Sequence, residues 1–147
     1  MHSKKPAILV AEDSKADCEL LKRAFQKANV SVRLNIVMDG QEAIDYLSGE
    51  ADYGDRTENP FPCAILLDLK MPRMNGFDVL AWLRGQPSLK RLPVIVLTSS
   101  DEPRDINRAY DLGANSYLLK PTQSEKLDDM ARQLQSYWCD WNVCAEV

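Results

Sequence analysis

The stretch "CAILLDLKMPRMNG", Cys63 to Gly76, decides how the rest of the chain reads. Ala64 to Leu67, with Cys63 ahead of them, form an unbroken apolar run that ends on a carboxylate, Asp68. A turn containing Met71, Pro72 and Gly76 follows. A short apolar run bounded by turn residues reads as a strand buried on both faces. A charge at the end of such a strand costs free energy unless something nearby needs it there.

Working outward, similar runs recur at Ala7–Ala11 (AILVA), Val94–Leu97 and Ser116–Leu119. Val32–Val37 is less purely apolar, which places it nearer a sheet edge. Helical spacing fills the intervals. Cys18, Leu21, Ala24, Phe25 and Ala28 mark a first helix, with Ser14 and Asp17 as its capping box. Ala43, Ile44 and Leu47 mark a second helix after Gly40. Phe77, Leu80 and Ala81 begin a third, ended by Gly85 and Pro87. Ile106, Ala109 and Tyr110 belong to a fourth, capped by Asp101 and closed by Gly113. Leu127, Met130, Leu134, Tyr137 and Trp138 make the last. Five strand–helix units of this kind predict an α/β fold with a doubly wound, five-stranded parallel sheet. Gly49 to Pro62 is polar and turn-rich, and reads as a long loop inserted at the surface. No boundary interrupts the pattern, so one domain is expected over 1–147, its core at about 6–138 with a short tail.

Composition narrows the function classes. The 147 residues are 45% hydrophobic and 27% charged, with a net charge of −4, as in ordinary soluble domains. No basic run favours nucleic acid, and no stretch approaches the roughly 20 apolar residues of a membrane helix. The N-terminal apolar run is too short for a signal peptide, so a cytoplasmic location is expected. Cys18, Cys63, Cys139 and Cys144 form no C-x-x-C pair, and His2 is the only histidine. Zinc is not expected, and the cysteines read as reduced thiols.

In doubly wound sheets, ligands bind beyond the carboxyl ends of the strands. Glu12 and Asp13 follow the first strand, Asp68 the third, Thr98 and Ser99 the fourth, and Lys120 with Pro121 the fifth. Clustered carboxylates stay ionised together only beside a cation, and hard oxygen ligands suit Mg²⁺. With a lysine and a hydroxyl alongside, the set meets the needs of phosphoryl transfer: a metal, an anchored oxygen nucleophile and donors to the phosphoryl oxygens. Asp68 is the nucleophile, forming an acyl phosphate.

These residues, in this order, resemble the receiver domain of bacterial two-component response regulators, with its flavodoxin-like (βα)5 fold. The resemblance is carried by "AED" at Ala11–Asp13, "LLDLKMPRMNG" at Leu66–Gly76, "VLTSS" at Val96–Ser100 and "LGANSYLLKP" at Leu112–Pro121. It implies that Asp68 accepts a phosphoryl group from a phosphohistidine on a partner sensor kinase. It implies Mg²⁺ held by Asp13 and Asp68, by the backbone carbonyl of Lys70, and by Glu12 through water. Thr98 and Lys120 would hold phosphoryl oxygens, and Thr98 with Tyr117 would form the switch. It also implies a cis Lys120–Pro121 bond, and a signalling phosphoacceptor that catalyses only its own phosphorylation and dephosphorylation. "EDSKADCELLKRAF", "SLKRLPVIVLTSS", the Gly49–Pro62 loop and "SYW" near the C-terminus further resemble single-domain regulators that pair with bacterial phytochromes and tend to form homodimers.

Other readings fit less well. A phosphatase of the haloacid dehalogenase type needs a second Asp two residues beyond the nucleophile, where this chain has Lys70. A flavodoxin-like nucleotide binder needs a phosphate-binding first turn, whereas "EDSKAD" is acidic and lacks glycine. A degenerate receiver would not keep Asp68, Thr98 and Lys120 together. At the far end, Leu127, Leu134, Trp138 and Trp141 share one helical stripe. Either its tryptophans pack back on their own domain, or the stripe joins Tyr117 and Leu119 in a homodimer surface on the fourth helix, fifth strand and fifth helix.

Overall fold

The structure, a computed structural model, describes residues 6–28 and 32–145; His2 and the start of the N-terminal segment lie outside them. The chain runs β1 (Ala7–Ala11), α1 (Lys15–Ala28), β2 (Arg33–Val37), α2 (Gly40–Ser48), a 3-10 turn (Ala51–Tyr53), β3 (Ala64–Leu67), α3 (Gly76–Gly85), β4 (Val94–Thr98), α4 (Pro103–Asp111), β5 (Ser116–Leu119) and α5 (Ser124–Gln135). A π-helical turn, Ser136–Trp141, follows α5. The sheet is parallel throughout with the order β2-β1-β3-β4-β5. The expected five-stranded, doubly wound sheet is therefore present, with the less apolar β2 on an edge.

Strand residues alternate between two buried layers, as the period of two requires. Leu9, Ala11, Ile65, Leu67, Val94 and Val96 face α2, α3 and Ala109 of α4. Ile8, Val10, Leu66, Ile95 and Leu97 face Leu21 and Phe25 of α1 and Ala131 and Leu134 of α5. Both faces are covered, which is why the central strands are apolar without interruption. Order reversal between β1 and β3 opens a crevice at their carboxyl ends. Gly76 lets α3 start hard against it: its N–H donates to Leu69 O at 2.9 Å, and a Cβ there would collide with the Asp68 carbonyl.

The Gly49–Pro62 segment is stitched to the carboxyl-terminal part of α2. Arg56 donates to the carbonyls of Tyr46 (2.8 Å), Leu47 (3.0 Å) and Asn59 (3.2 Å), and the Tyr46 hydroxyl donates to Pro60 O at 2.7 Å.

Several local expectations are corrected. The α4 N-cap is Glu102, not Asp101, because Pro103 occupies the first turn, where its missing N–H is no loss. Lys120–Pro121 is trans, as is every described peptide bond; trans is the lower-energy isomer of an X–Pro bond by about 0.5–1 kcal/mol. Ser14 Oγ accepts from the Asp17 N–H at 3.2 Å, but the Asp17 carboxylate turns to Lys120 instead of completing the capping box. The stripe on the last helix does not continue in phase. Leu134 is buried, Leu127 and Trp138 pack on the α1–α5 side of the sheet, and the π turn leaves Trp141 76% exposed.

Candidate functional site

The sheet's own ladder sets the site. It runs one residue past three strand ends: Glu12 N–H donates to Val37 O (3.0 Å), Asp68 N–H to Ala11 O (3.0 Å) and Lys120 N–H to Thr98 O (2.8 Å). Glu12, Asp68 and Thr98 are all buried. Charges so placed need partners, and Lys120 supplies one. Its Nζ lies 2.5 Å from Glu12 Oε1, 2.8 Å from Asp17 Oδ2 and 3.1 Å from Asp68 Oδ2.

Asp13 stands at the exposed mouth. One carboxylate oxygen from each of Glu12, Asp13 and Asp68 lies within 4.8 Å of the others, the only such group of potential metal ligands among the described residues. Hard oxygens at this spacing fit a small divalent cation such as Mg²⁺ or Mn²⁺. Lys70 lines the open front with Asp13, Asn75, Phe77 and Arg108, and its N–H points to Asp68 Oδ1 at 3.4 Å. The Glu12, Asp13 and Asp68 cluster thus fits a divalent cation.

Electrostatics bear the marks of confinement. Burial raises the Glu12 carboxyl to about 7, and the Asp68 charge adds to the rise; the hydrogen bonds from Lys120 and the Ser14 N–H oppose it without cancelling it. Burial alone would lower the Lys120 ammonium, but its bonds to Asp17 and Glu12 and the charge of Asp68 hold it above the ordinary lysine range. Lys120 is therefore protonated at neutral pH and occupies the middle of the acids.

Thr98 ends β4 with its side chain buried. Tyr117 is half-buried on β5; its hydroxyl donates to Ser100 O at 2.8 Å, and its ring lies 6.5 Å from that of Tyr110. Ser100 Oγ donates to Asp105 Oδ2 at 2.7 Å. Tyr117 is thus tied to the β4–α4 connection that begins at Thr98. Sequence reasoning missed Asp17, Ser100 and Asp105 in these networks.

Residues 8–132 match the family model described as the response regulator receiver domain. The chain belongs to this family. The receiver is 37% identical over 133 residues to the response regulator Rcp1 of Synechocystis, covering 90% of this chain and 88% of Rcp1. Among solved structures, it resembles RPA3017, a response regulator in red light signaling of R. palustris, at 35% identity and TM-score 0.90, covering 97% of this chain and 99% of that one. The phosphorylated cyanobacterial phytochrome response regulator RcpA matches at 34% identity and TM-score 0.88, covering 98% and 100%. Rcp1 itself has been solved in a Mn²⁺-bound form, which matches at 35% identity and TM-score 0.83, covering 95% and 99%. The receiver is accordingly a two-component signalling protein. Among the described residues, no helix is long and apolar enough to cross a membrane.

Proposed function

We propose that Asp68 is the phosphoacceptor of this receiver and takes its phosphoryl group from a phosphohistidine on a sensor histidine kinase of the bacterial phytochrome type. The observation that carries this reading is the convergence of Lys120 Nζ on the buried Glu12 and Asp68, with Asp13 at the mouth. An Asp68 carboxylate oxygen attacks phosphorus, the N–P bond to the kinase imidazole breaks, and its electron pair stays on that nitrogen. Lys120 donates to one phosphoryl oxygen as the charge redistributes, and the Thr98 hydroxyl to another. Asp13, Asp68, the Lys70 carbonyl and, through water, Glu12 are the ligands of Mg²⁺, which when bound neutralises charge between the acids and the incoming phosphoryl group. Apart from making and hydrolysing its own acyl phosphate, the protein is assigned no catalysis. The phytochrome partner rests on the likeness to RcpA and RPA3017.

The output is a change of protein contacts. The Thr98 hydroxyl moves toward the phosphoryl group, and Tyr117 follows into the vacated space, remodelling the β4–α4 connection. Tyr110, Leu119 and Tyr137 leave apolar surface exposed on and beside α4, β5 and α5, which favours a homodimer across that face. The reading places residues 1–147 in one cytoplasmic receiver domain, its core at 6–138.

A small phosphodonor with Mg²⁺ is expected to label the protein with an acid-stable, base-labile acyl phosphate. Asp68→Ala abolishes the label; undiminished labelling of that variant would sink the assignment. Sedimentation over a concentration series tests the dimer, and a monomer at every concentration, phosphorylated or not, would refute it.

A further inference from the structure

At the end of the sheet opposite the acids, three of the four cysteines come together. Cys63 sits at the foot of β3, its backbone fixed by donation to Ala7 O at 2.8 Å. Cys139 lies in the π turn beyond α5, and its Sγ is 3.8 Å from Cys63 Sγ although 76 residues separate them. Cys144 is exposed, with its Sγ 3.9 Å from the Cys63 carbonyl oxygen. Cys18 is buried elsewhere, in α1. Chance adjacency of two half-buried thiols from a strand foot and a terminal turn needs explaining, because nothing in the phosphoacceptor site uses them.

The three sulfurs do not converge to the spacing of a single ion as the three acids do, and among the described residues no imidazole joins them. The arrangement is a pair with a third thiol nearby, which is the geometry of thiol–disulfide exchange. We infer that Cys63 and Cys139 form a reversible dithiol/disulfide site that reacts with a small-molecule disulfide and, when oxidised, ties the terminal turn to the foot of the sheet. Bond formation requires the sulfurs to close from 3.8 Å to about 2 Å, a displacement within reach of side-chain rotation in a turn at the chain's periphery.

The chemistry assigns the roles. The thiolate is the attacking form, and the S–H···S contact with Cys63 holds Cys139 below the ordinary thiol range; that same contact, with burial, raises Cys63. The Cys139 thiolate attacks one sulfur of the reagent RSSR, whose S–S bond breaks to release RS⁻, which takes up the proton Cys139 has lost. Cys63 sulfur then attacks the Cys139 sulfur of the mixed disulfide; its proton passes to the second departing thiolate. Two protein thiols are oxidised to one disulfide, and RSSR is reduced to two RSH. Cys139 is itself only partly buried, and a groove of about 430 Å³ lined by Cys63 and Cys144 adjoins the pair. Transient, redox-sensing disulfides are the kind that occur in reducing compartments.

The test exposes the full-length protein to a series of glutathione/glutathione disulfide ratios, quenches with acid, alkylates the free thiols and maps the peptides by mass. A Cys63–Cys139 cross-linked peptide, two hydrogens lighter than its parts, is expected, with Cys18 and Cys144 alkylated. Cys139→Ser removes the cross-link and Cys144→Ser retains it; circular dichroism of both variants checks that they fold, and the wild-type map stands without them. Amide exchange over residues 136–142 slows at least several-fold on oxidation. A cross-link confined to Cys144, or only a mixed glutathione adduct at every ratio, would overturn the pairing. A Cys63–Cys139 cross-link with unchanged exchange would overturn the tying of the turn.

Discussion

The two halves of the sheet's carboxyl edge are held by different means. At β1 and β3, Glu12 and Asp68 are placed by ladder hydrogen bonds that extend past the strands, and Lys120 grips their carboxylates from β5. Gly76 packs α3 directly on the Asp68 backbone. At β4 and α4 the fastenings are side chains: the Tyr117 hydroxyl on Ser100 O, and Ser100 Oγ on Asp105. Helix α4 buries only Ala109 and has no side-chain cap at its N-terminus. The Tyr117 bond is worth about 1 kcal/mol net and the Ser100 bond, to a carboxylate, about 1.5–3 kcal/mol, so the second half rearranges at modest cost while the first keeps its geometry. Chemistry needs fixed atoms, and a readout needs movable ones.

The largest effect is expected from Lys120→Ala in the fixed half. Phosphorylation by a small donor slows by about 100-fold or more. Divalent-cation affinity rises, because an ammonium that competes for Glu12 and Asp68, two of the three clustered acids, is gone. Weaker Mg²⁺ binding in a titration of that variant would show that Lys120 supports the ion site instead of competing with it.

Glu12 sharpens the same half through pH. In the metal-free protein the folded state keeps a proton on Glu12 that the unfolded chain has released, between pH 4.5 and about 7. Stability from this group therefore falls as pH rises across that window, by up to about 3 kcal/mol. Glu12→Gln flattens the slope, as urea midpoints at about pH 5 and about pH 8 would reveal. A slope of opposite sign in the wild type relative to the variant would mean that Lys120 keeps the carboxyl ionised. Metal affinity should fall as pH drops below about 7, since the proton competes for Glu12.

Gly76→Ala is expected to destabilise by about 1–3 kcal/mol, because the backbone atoms it meets cannot yield. Gly85→Ala, also in α3 but where a Cβ meets open space, serves as the control in thermal melts and is expected to stabilise by up to about 1 kcal/mol. The smallest effect belongs to the movable half. Tyr117→Phe removes one hydroxyl bond, about 1 kcal/mol, and leaves the phosphorylation rate unchanged; a slowed rate would place Tyr117 in the chemistry.

Strand ends were legible because apolar runs stop abruptly on polar residues, as at Leu67–Asp68 and Ala11–Glu12, and topology alone then gathers those residues. Asp17 escaped because one short carboxylate has two possible partners, and local sequence shows only the capping one; the lysine that claims it lies 103 residues away. The terminal stripe misled for a related reason. Ideal helical phase was carried through Ser136–Trp141, where π-turn geometry rotates Trp138 inward and Trp141 outward. The Cys63–Cys139 contact had no sequence signal, since it depends on where that turn delivers its side chains.

The division between fixed chemistry and movable readout is tested most directly by amide NMR of the Mg²⁺-bound protein before and after addition of beryllofluoride, a phosphoryl mimic, in the wild type and in Thr98→Ala. Wild-type shifts are expected to spread from Asp68 through Ser100 and Asp105 to Tyr110 and Tyr117, with β1 residues before Glu12 unmoved. In Thr98→Ala the mimic still binds at Asp68 but the spread to α4 and β5 is lost. Full propagation in Thr98→Ala, or wild-type shifts concentrated in β1 and α1, would contradict it.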